Sequence, residues 1–178
     1  PTVAGLLKDD ALFCSLAPKV KLAALTATLG GFSRVARMNP NSPSIIGQGF
    51  NPLVFGADLP SAAREALLRV LAPLGPSPQV DERWLETYAV ISAMGPTYFG
   101  FQFSEVERLA ESFGLTPDAA RAAVRQMLHG TVDLLFAGDL PRRQALDLVP
   151  VRPLAEQEAE IVGMLQKQIG GMHAKLTG

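Results

Sequence analysis

The chain changes period at Gly56, and that change limits the folds open to it. Before Gly56, short apolar runs alternate with helical stretches. From Pro60 onward nearly every segment repeats at helical spacing. Residues 2–8 read as the end of a helix. Residues 11–16, bounded by Asp9-Asp10 and Pro18, suit a buried strand. Residues 19–29 are helical (Val20, Leu22, Leu25, Leu29) and stop at Gly30-Gly31. Residues 33–38 read as a second strand. Residues 50–55 read as a third, which Pro52 confines to an edge. This is the pattern of the tail of an open α/β sheet, with too few strands to be a sheet domain alone.

The later part predicts helices over 60–74, 81–94, 98–113, 117–136, 139–148 and 154–176. The first has an apolar face of Leu67, Leu68, Val70, Leu71 and Leu74, and Gly75-Pro76-Ser77-Pro78 breaks the chain after it. Thr116-Pro117 is a cap followed by proline at the first helical position. The helix it opens is about 30 Å long, with Ala120, Val124, Met127, Leu128, Val132 and Leu135 at helical spacing. Its apolar character fits either a buried central helix or one packed on a second subunit. Gly170-Gly171 is expected to interrupt the last helix.

With 178 residues, 48% of them hydrophobic, 19% charged and a net charge of −1, the chain has material for a core. It offers no electrostatic case for nucleic acid or acidic membrane surfaces. Its apolar runs are too short to span a membrane, and the start shows no signal peptide, so a cytoplasmic location is the default expectation. The single Cys14 reads as a buried structural thiol. His129 and His173 lack companions at metal spacing and read as structural or solvated. Trp84 reads as a packing residue, and Glu156, Glu158 and Glu160 as the solvated start of the last helix.

Two stretches stand out as candidates for chemistry. Ser15 and Asn41-Ser42 would lie at the carboxyl ends of neighbouring strands if those strands are parallel, where open α/β sheets bind ligands. Pro40-Asn41-Ser42-Pro43 is either such a loop, stiffened by two prolines, or an ordinary turn. Gly47-Gln48-Gly49 lacks the further residues of a phosphate loop and reads as a turn or a close backbone contact. Ser92-Ala93-Met94-Gly95-Pro96 ends one helix and starts another, freeing backbone groups that can bind a carboxylate or an amide. It reads equally as a plain connection.

Together these residues resemble the pyrroline-5-carboxylate reductase family. Arg37-Met38-Asn39-Pro40-Asn41-Ser42-Pro43 resembles its Arg-x-Met-Pro-Asn-Thr-Pro, and Ile46-Gly47-Gln48-Gly49 its Val-Gly-x-Gly. Ser92-Ala93-Met94-Gly95-Pro96-Thr97-Tyr98 resembles Ser-Gly-Ser-Gly-Pro-Ala-Tyr. Ser15-Leu16-Ala17 resembles the start of Ser-x-Ala-Ala-Gly, with Pro18 and Lys19 in place of Ala and Gly. Gly114-Leu115, Gln126 and Gly130 also match. Pro1 resembles the proline of a Lys-Pro dipeptide late in the family's Rossmann domain.

The resemblance implies a mainly α chain. Residues 1–56 would be the C-terminal remnant of an NAD(P)-binding Rossmann domain. Residues 57–178 would be a helical dimerisation and substrate domain of the 6-phosphogluconate dehydrogenase C-terminal-like type. It implies NADP or NAD as cofactor, contacted by Ser15, Ala17, Pro40, Asn41 and Ser42. It implies a cyclic imine as substrate, contacted by Ser92, Met94 and Gly95, and a homodimer through the helical domain. The Gly-rich nucleotide loop is absent, so this chain alone is expected to be inactive. No catalytic proton donor and no metal ligand is assigned.

Some family positions are changed. Ala89 stands for a Thr and Met94 for a Ser, and the chain is a few residues short before Gly114. Pro150-Val151-Arg152-Pro153 stands where Ser-Pro-Gly-Gly-Thr-Thr would hold the substrate carboxylate. A reductase-like dimeric protein without proline-pathway activity is therefore the alternative. It would be a non-catalytic binding module, or an imine reductase whose substrate lacks the carboxylate.

Overall fold

The computed structural model describes residues 3–178. Pro1, and Thr2 of the first expected helix, lie outside it. The chain falls into two compact units: residues up to Pro96 together with Gln166–Gly178, and Thr97–Leu165.

The first unit is built on a three-stranded sheet: β1 (Phe13–Ser15), β2 (Val35–Met38) and β3 (Leu53–Phe55), in that order. β1 and β2 are parallel, with Cys14 beside Ala36, and β3 is antiparallel to β2, with Val54 beside Arg37. Helix α1 (Leu22–Thr28) makes the crossover from β1 to β2 and ends at Gly30 and Gly31, both at positive φ. β3 lies at the edge, as Pro52 requires. Its free side is covered by the chain after residue 74, where the Leu53 amide donates to Pro78 O and the Val80 amide to Leu53 O, both at 3.0 Å.

Every residue of β2 is buried, so each face of the sheet has a cover. On one face Ala36 and Met38 join Leu53, Phe55, Leu59 and Leu71, the last from α2 (Ser61–Leu71). Ala63, Leu67 and Leu74 also pack there. The expected apolar face of this helix is narrower than its sequence implied: Leu68 and Val70 are exposed, because a sheet contact needs only one stripe.

The opposite side of β2 presents Arg37, which meets the stretch after Asp81. That stretch is helical, as expected over 81–94, but not uniform. A 3₁₀ turn (Glu82–Trp84) runs into α3 (Leu85–Tyr88) and then into a π-helical turn (Ala89–Ala93). Trp84 is a correction: it is 49% exposed, its ring 5.1 Å from the Arg83 guanidinium carbon. α4 (Gly95–Ser112) follows.

The second unit holds most of α4, α5 (Pro117–Phe136), α6 (Arg142–Asp147) and the first half of α7 (Glu158–Thr177). The Thr116 hydroxyl accepts from the Ala119 amide at 3.3 Å and Pro117 takes the first helical position, as the sequence predicts. Of the α5 stripe only Ala120 is buried, and Met127 and Val132 are exposed, so a buried central helix is excluded within this chain. α7 is unbroken through Gly170-Gly171, contrary to expectation. Glycine inside a helix costs about 1 kcal/mol against alanine, which a 20-residue helix absorbs. The half of α7 in the first unit docks through His173, whose Nε2 lies 3.0 Å from the Thr87 hydroxyl. No helix of the described residues is long and apolar enough to cross a membrane.

Candidate functional site

Asn41 organises the candidate site. It follows Pro40 at the exit of β2 and starts a 3₁₀ turn (Ser42–Ile46) that ends at Gly47, a left-handed residue with φ 72°. The Asn41 side-chain oxygen accepts from the Phe50 amide at 3.1 Å and weakly from the Ser44 hydroxyl at 3.5 Å. Its side-chain amide donates to the carbonyl of Ser92 at 3.3 Å. One carboxamide therefore ties the loop after β2 to the segment before α4. These are the two stretches singled out in the sequence.

Asn51, fully buried, supports the loop from beneath. Its side-chain oxygen accepts from the Asn41 amide at 3.2 Å and the Ser44 hydroxyl at 2.8 Å. Gly49 is glycine for want of room: a Cβ there would stand 2.0 Å from Ser44 Oγ and 2.6 Å from Leu74 O. The expectation of a close backbone contact in Gly47-Gln48-Gly49 holds.

Asn39, one residue past β2, donates through its side chain to Leu85 O at 2.6 Å. Arg37 reaches Glu82 at 2.9 Å and Glu86 at 2.6 Å, and Glu82 also accepts from the Leu22 amide at 2.7 Å. The exit of β2 is thus fastened to the helix carrying Ser92 at every second residue: 37, 39 and 41. The Ser92 hydroxyl donates to Tyr88 O at 2.8 Å, and the Met94 amide to Ala89 O at 3.0 Å, a five-residue step that widens the turn. Such widened turns recur at functional positions. Phe50 and Tyr88 pack with ring centres 6.1 Å apart beside it.

Ser15 ends β1, buried, and its hydroxyl accepts from the Ala17 amide at 3.2 Å. Because β1 and β2 are parallel, Ser15 and Ala17 stand at the same end of the sheet as Pro40, Asn41 and Ser42. Gly95 opens α4 with no positive φ, and a Cβ there would meet nothing within 4 Å. The chain's own packing does not require glycine at that position. Burial pushes the Cys14 thiol up, and the Tyr98 phenol likewise. No group of three or more His, Cys, Asp or Glu that could hold a metal occurs among the described residues.

The sequence reading missed Asn39, Asn51, Glu82 and Glu86. The signal for the glutamates was present: Glu82 and Glu86 are four apart, hence on one helix face, and Arg37 lay between Ala36 and Met38 inside an expected strand.

No family model matches the chain. It is 27% identical over 139 residues to the pyrroline-5-carboxylate reductase of Pseudomonas aeruginosa, covering 78% of this chain and 51% of that protein. It is 26% identical over 138 residues to pyrroline-5-carboxylate reductase 2 of Bacillus subtilis, covering 75% and 49%. Among solved structures, the Plasmodium falciparum pyrroline carboxylate reductase with NADP bound superposes at a TM-score of 0.78 with 18% identity, covering 93% of this chain and 70% of that one. The Streptococcus pyogenes enzyme gives 0.77 with 17% identity, covering 99% and 73%. The chain is similar to the pyrroline-5-carboxylate reductases.

The chain spans about half the length of the curated reductases it matches. The fold it shares with the solved reductases agrees with the expected one, a small sheet followed by helices. The candidate residues retained from the reductase pattern, Asn41, Ser92 and Gly95, lie on the two segments that the Asn41 carboxamide joins. The replaced position, Met94, lies on the same turn.

Proposed function

We propose that this chain is the later part of an NAD(P)H-dependent reductase of a cyclic imine, acting as pyrroline-5-carboxylate reductases do in making proline. The observation that carries the reading is the 3.3 Å hydrogen bond from the Asn41 side chain to Ser92 O. It couples the loop at the carboxyl ends of two parallel strands to a widened helical turn, and a hydride donor and an imine must meet between such elements. Residues 1–56 would complete a nucleotide-binding domain, and residues 57–178 a helical dimerisation and substrate domain.

The residues present suit a nicotinamide dinucleotide. Short neutral groups (Ser15, Ala17, Pro40, Asn41 and Ser42) gather at one sheet end, and the Asn41 amide spends only one of its two hydrogens on Ser92. When bound, the cofactor supplies a hydride to the imine carbon. Ser92, Met94 and Gly95 would border the substrate, with the open space over Gly95 giving it room. The role of these side chains is positioning rather than proton transfer. The exposed stripe of α5 supports a homodimer through the helical domain, and the cytoplasm remains the expected setting.

A second reading rests on one observation. Arg152, in the stretch that replaces the family's carboxylate-binding loop, is engaged by Glu158 at 2.5 Å. That favours an imine lacking the carboxylate, or no catalysis. The experiment uses the intact parent protein. NADPH titration should show weaker binding for Asn41→Ala, and turnover of pyrroline-5-carboxylate should exceed that of unsubstituted 1-pyrroline. Unchanged affinity would remove Asn41 from the nucleotide site. Preference for 1-pyrroline would favour the second reading, and turnover of neither would sink the reductase.

A further inference from the structure

Asn51, two residues ahead of β3, is a polar residue with 0% exposure. A carboxamide has an accepting oxygen and two donating hydrogens, and when buried it needs partners for them. The side-chain partners of Asn51 lie in the loop that carries Asn41 or in the turn packed against that loop. Its oxygen accepts from the Asn41 amide at 3.2 Å and from the Ser44 hydroxyl at 2.8 Å. Its nitrogen donates to Leu74 O at 3.4 Å, and Leu74 O also receives the Gly49 amide at 2.9 Å. A backbone N–H can only donate and a carbonyl can only accept. Turning the Asn51 carboxamide over would therefore set like against like on both sides. Gly49 closes over it, since a Cβ there would stand 2.8 Å from Asn51 Nδ2.

The neighbouring residue completes the grip. The Phe50 amide donates to the Asn41 side-chain oxygen at 3.1 Å. Residues 50 and 51 thus hold Asn41 at both its main-chain N–H and its side-chain oxygen. With that oxygen on the Phe50 N–H, the Asn41 nitrogen is turned to Ser92 O, at 3.3 Å. The reverse orientation would bring two donors together at Phe50 and two oxygens together at Ser92. The Asn41 hydrogen not used on Ser92 therefore has one direction in the folded chain.

We infer that Asn51 is a positioning residue of the candidate site: buried beneath the loop, it acts through Asn41 by fixing the direction of the Asn41 carboxamide. That Asn41 then holds a nicotinamide cofactor rests on the reductase reading. The coupling between the two asparagines does not.

Amide hydrogen exchange on the 178-residue chain reads the coupling without a ligand. Asn51→Ala should speed exchange at Phe50, whose amide is tied to Asn41, by about fivefold or more, the scale of one hydrogen bond. The Leu53 amide, bonded to Pro78 O at the sheet edge, should change by less than about twofold. Asn51→Asp keeps an accepting oxygen for the Asn41 amide and should restore most of the protection at Phe50. Should Asn51→Ala fail to fold, Asn51→Ser takes its place. No change at Phe50, or equal acceleration at Phe50 and Leu53, would overturn the inference, the second by showing a general loosening. NADPH titration of the intact parent protein reads the consequence. Asn51→Ala should weaken binding about fivefold to tenfold, but by less than about twofold when Asn41 is already alanine. Additive losses would overturn the inference. A parent protein that binds no NADPH would instead remove the reductase reading, and the exchange result would then decide on Asn51 alone.

Discussion

Removing the Arg37 guanidinium tests how the two faces of the candidate site are held together. Arg37 is 1% exposed and lies between Glu82 and Glu86, the latter 6% exposed. Arg37→Met keeps much of the volume and removes the charge. Glu82 can turn toward water, since its side chain is 27% exposed, but Glu86 is left as a buried carboxylate without a cation. Breaking a buried pair in this way costs about 3–5 kcal/mol, a large part of the 5–15 kcal/mol that typically holds a domain folded. The arrangement is not optimal even intact, because Arg37 Nε is buried without a partner. Replacing both buried partners, Arg37→Met with Glu86→Leu, should therefore recover most of the loss, to within about 1–2 kcal/mol of the parent. Urea unfolding followed by circular dichroism, on the parent, both single variants and the double, gives the coupling energy. A value of about 2 kcal/mol or more is expected. If Arg37→Met costs less than about 1 kcal/mol, or if the double variant loses the sum of the singles, the cluster does not hold the fold as argued.

Two glycines of the candidate site should respond in opposite ways. Gly49→Ala forces a Cβ into Ser44 Oγ and Leu74 O and should cost about 1–3 kcal/mol or more in unfolding experiments. Gly95→Ala meets open space at a helix start and should leave stability equal or raise it by about 0.4–1 kcal/mol. In the parent protein it should still impair turnover if substrate occupies that space. Cys14 sets a pH effect whose sign follows from burial, which holds the folded thiol above its ordinary value of 9.0. The folded state therefore keeps a proton that the unfolded chain gives up. That contribution is present below pH 9.0 and lost as pH rises through the folded value. Unfolding free energy should fall more steeply above pH 9.0 in the parent than in Cys14→Ala, and equal slopes would refute the assignment.

The features written in local chemistry were legible in the sequence. Thr116-Pro117 announces α5 because capping needs only neighbouring residues. The strands expected over 11–16 and 33–38 rested on short apolar runs between turn signals, and the structure has them at Phe13–Ser15 and Val35–Met38. The role of Gly49 followed from the absence of a phosphate-loop pattern. Harder to read were the properties set by what packs on an element. Leu68 and Val70 have helical spacing yet face outward, because the sheet accepts a single stripe. Trp84 is large and apolar yet half in water, paired with Arg83. Gly170-Gly171 was expected to interrupt the last helix, yet α7 runs unbroken through it. The Asn41–Ser92 bond joins residues 51 apart, and no local pattern encodes it.

The widened turn at Ala89–Ala93 acts as a one-residue offset in the helical register. Each residue of a regular helix advances about 100° around the axis. Deleting one residue here would restore ordinary α-helix and swing Gly95 and Pro96 by about that angle relative to Leu85 and Glu86. The sheet-facing side, fixed by Arg37 and Asn39, would stay where it is. In effect, the turn separates two design problems: one half of this helix answers to the sheet, and the half that follows can be aimed independently.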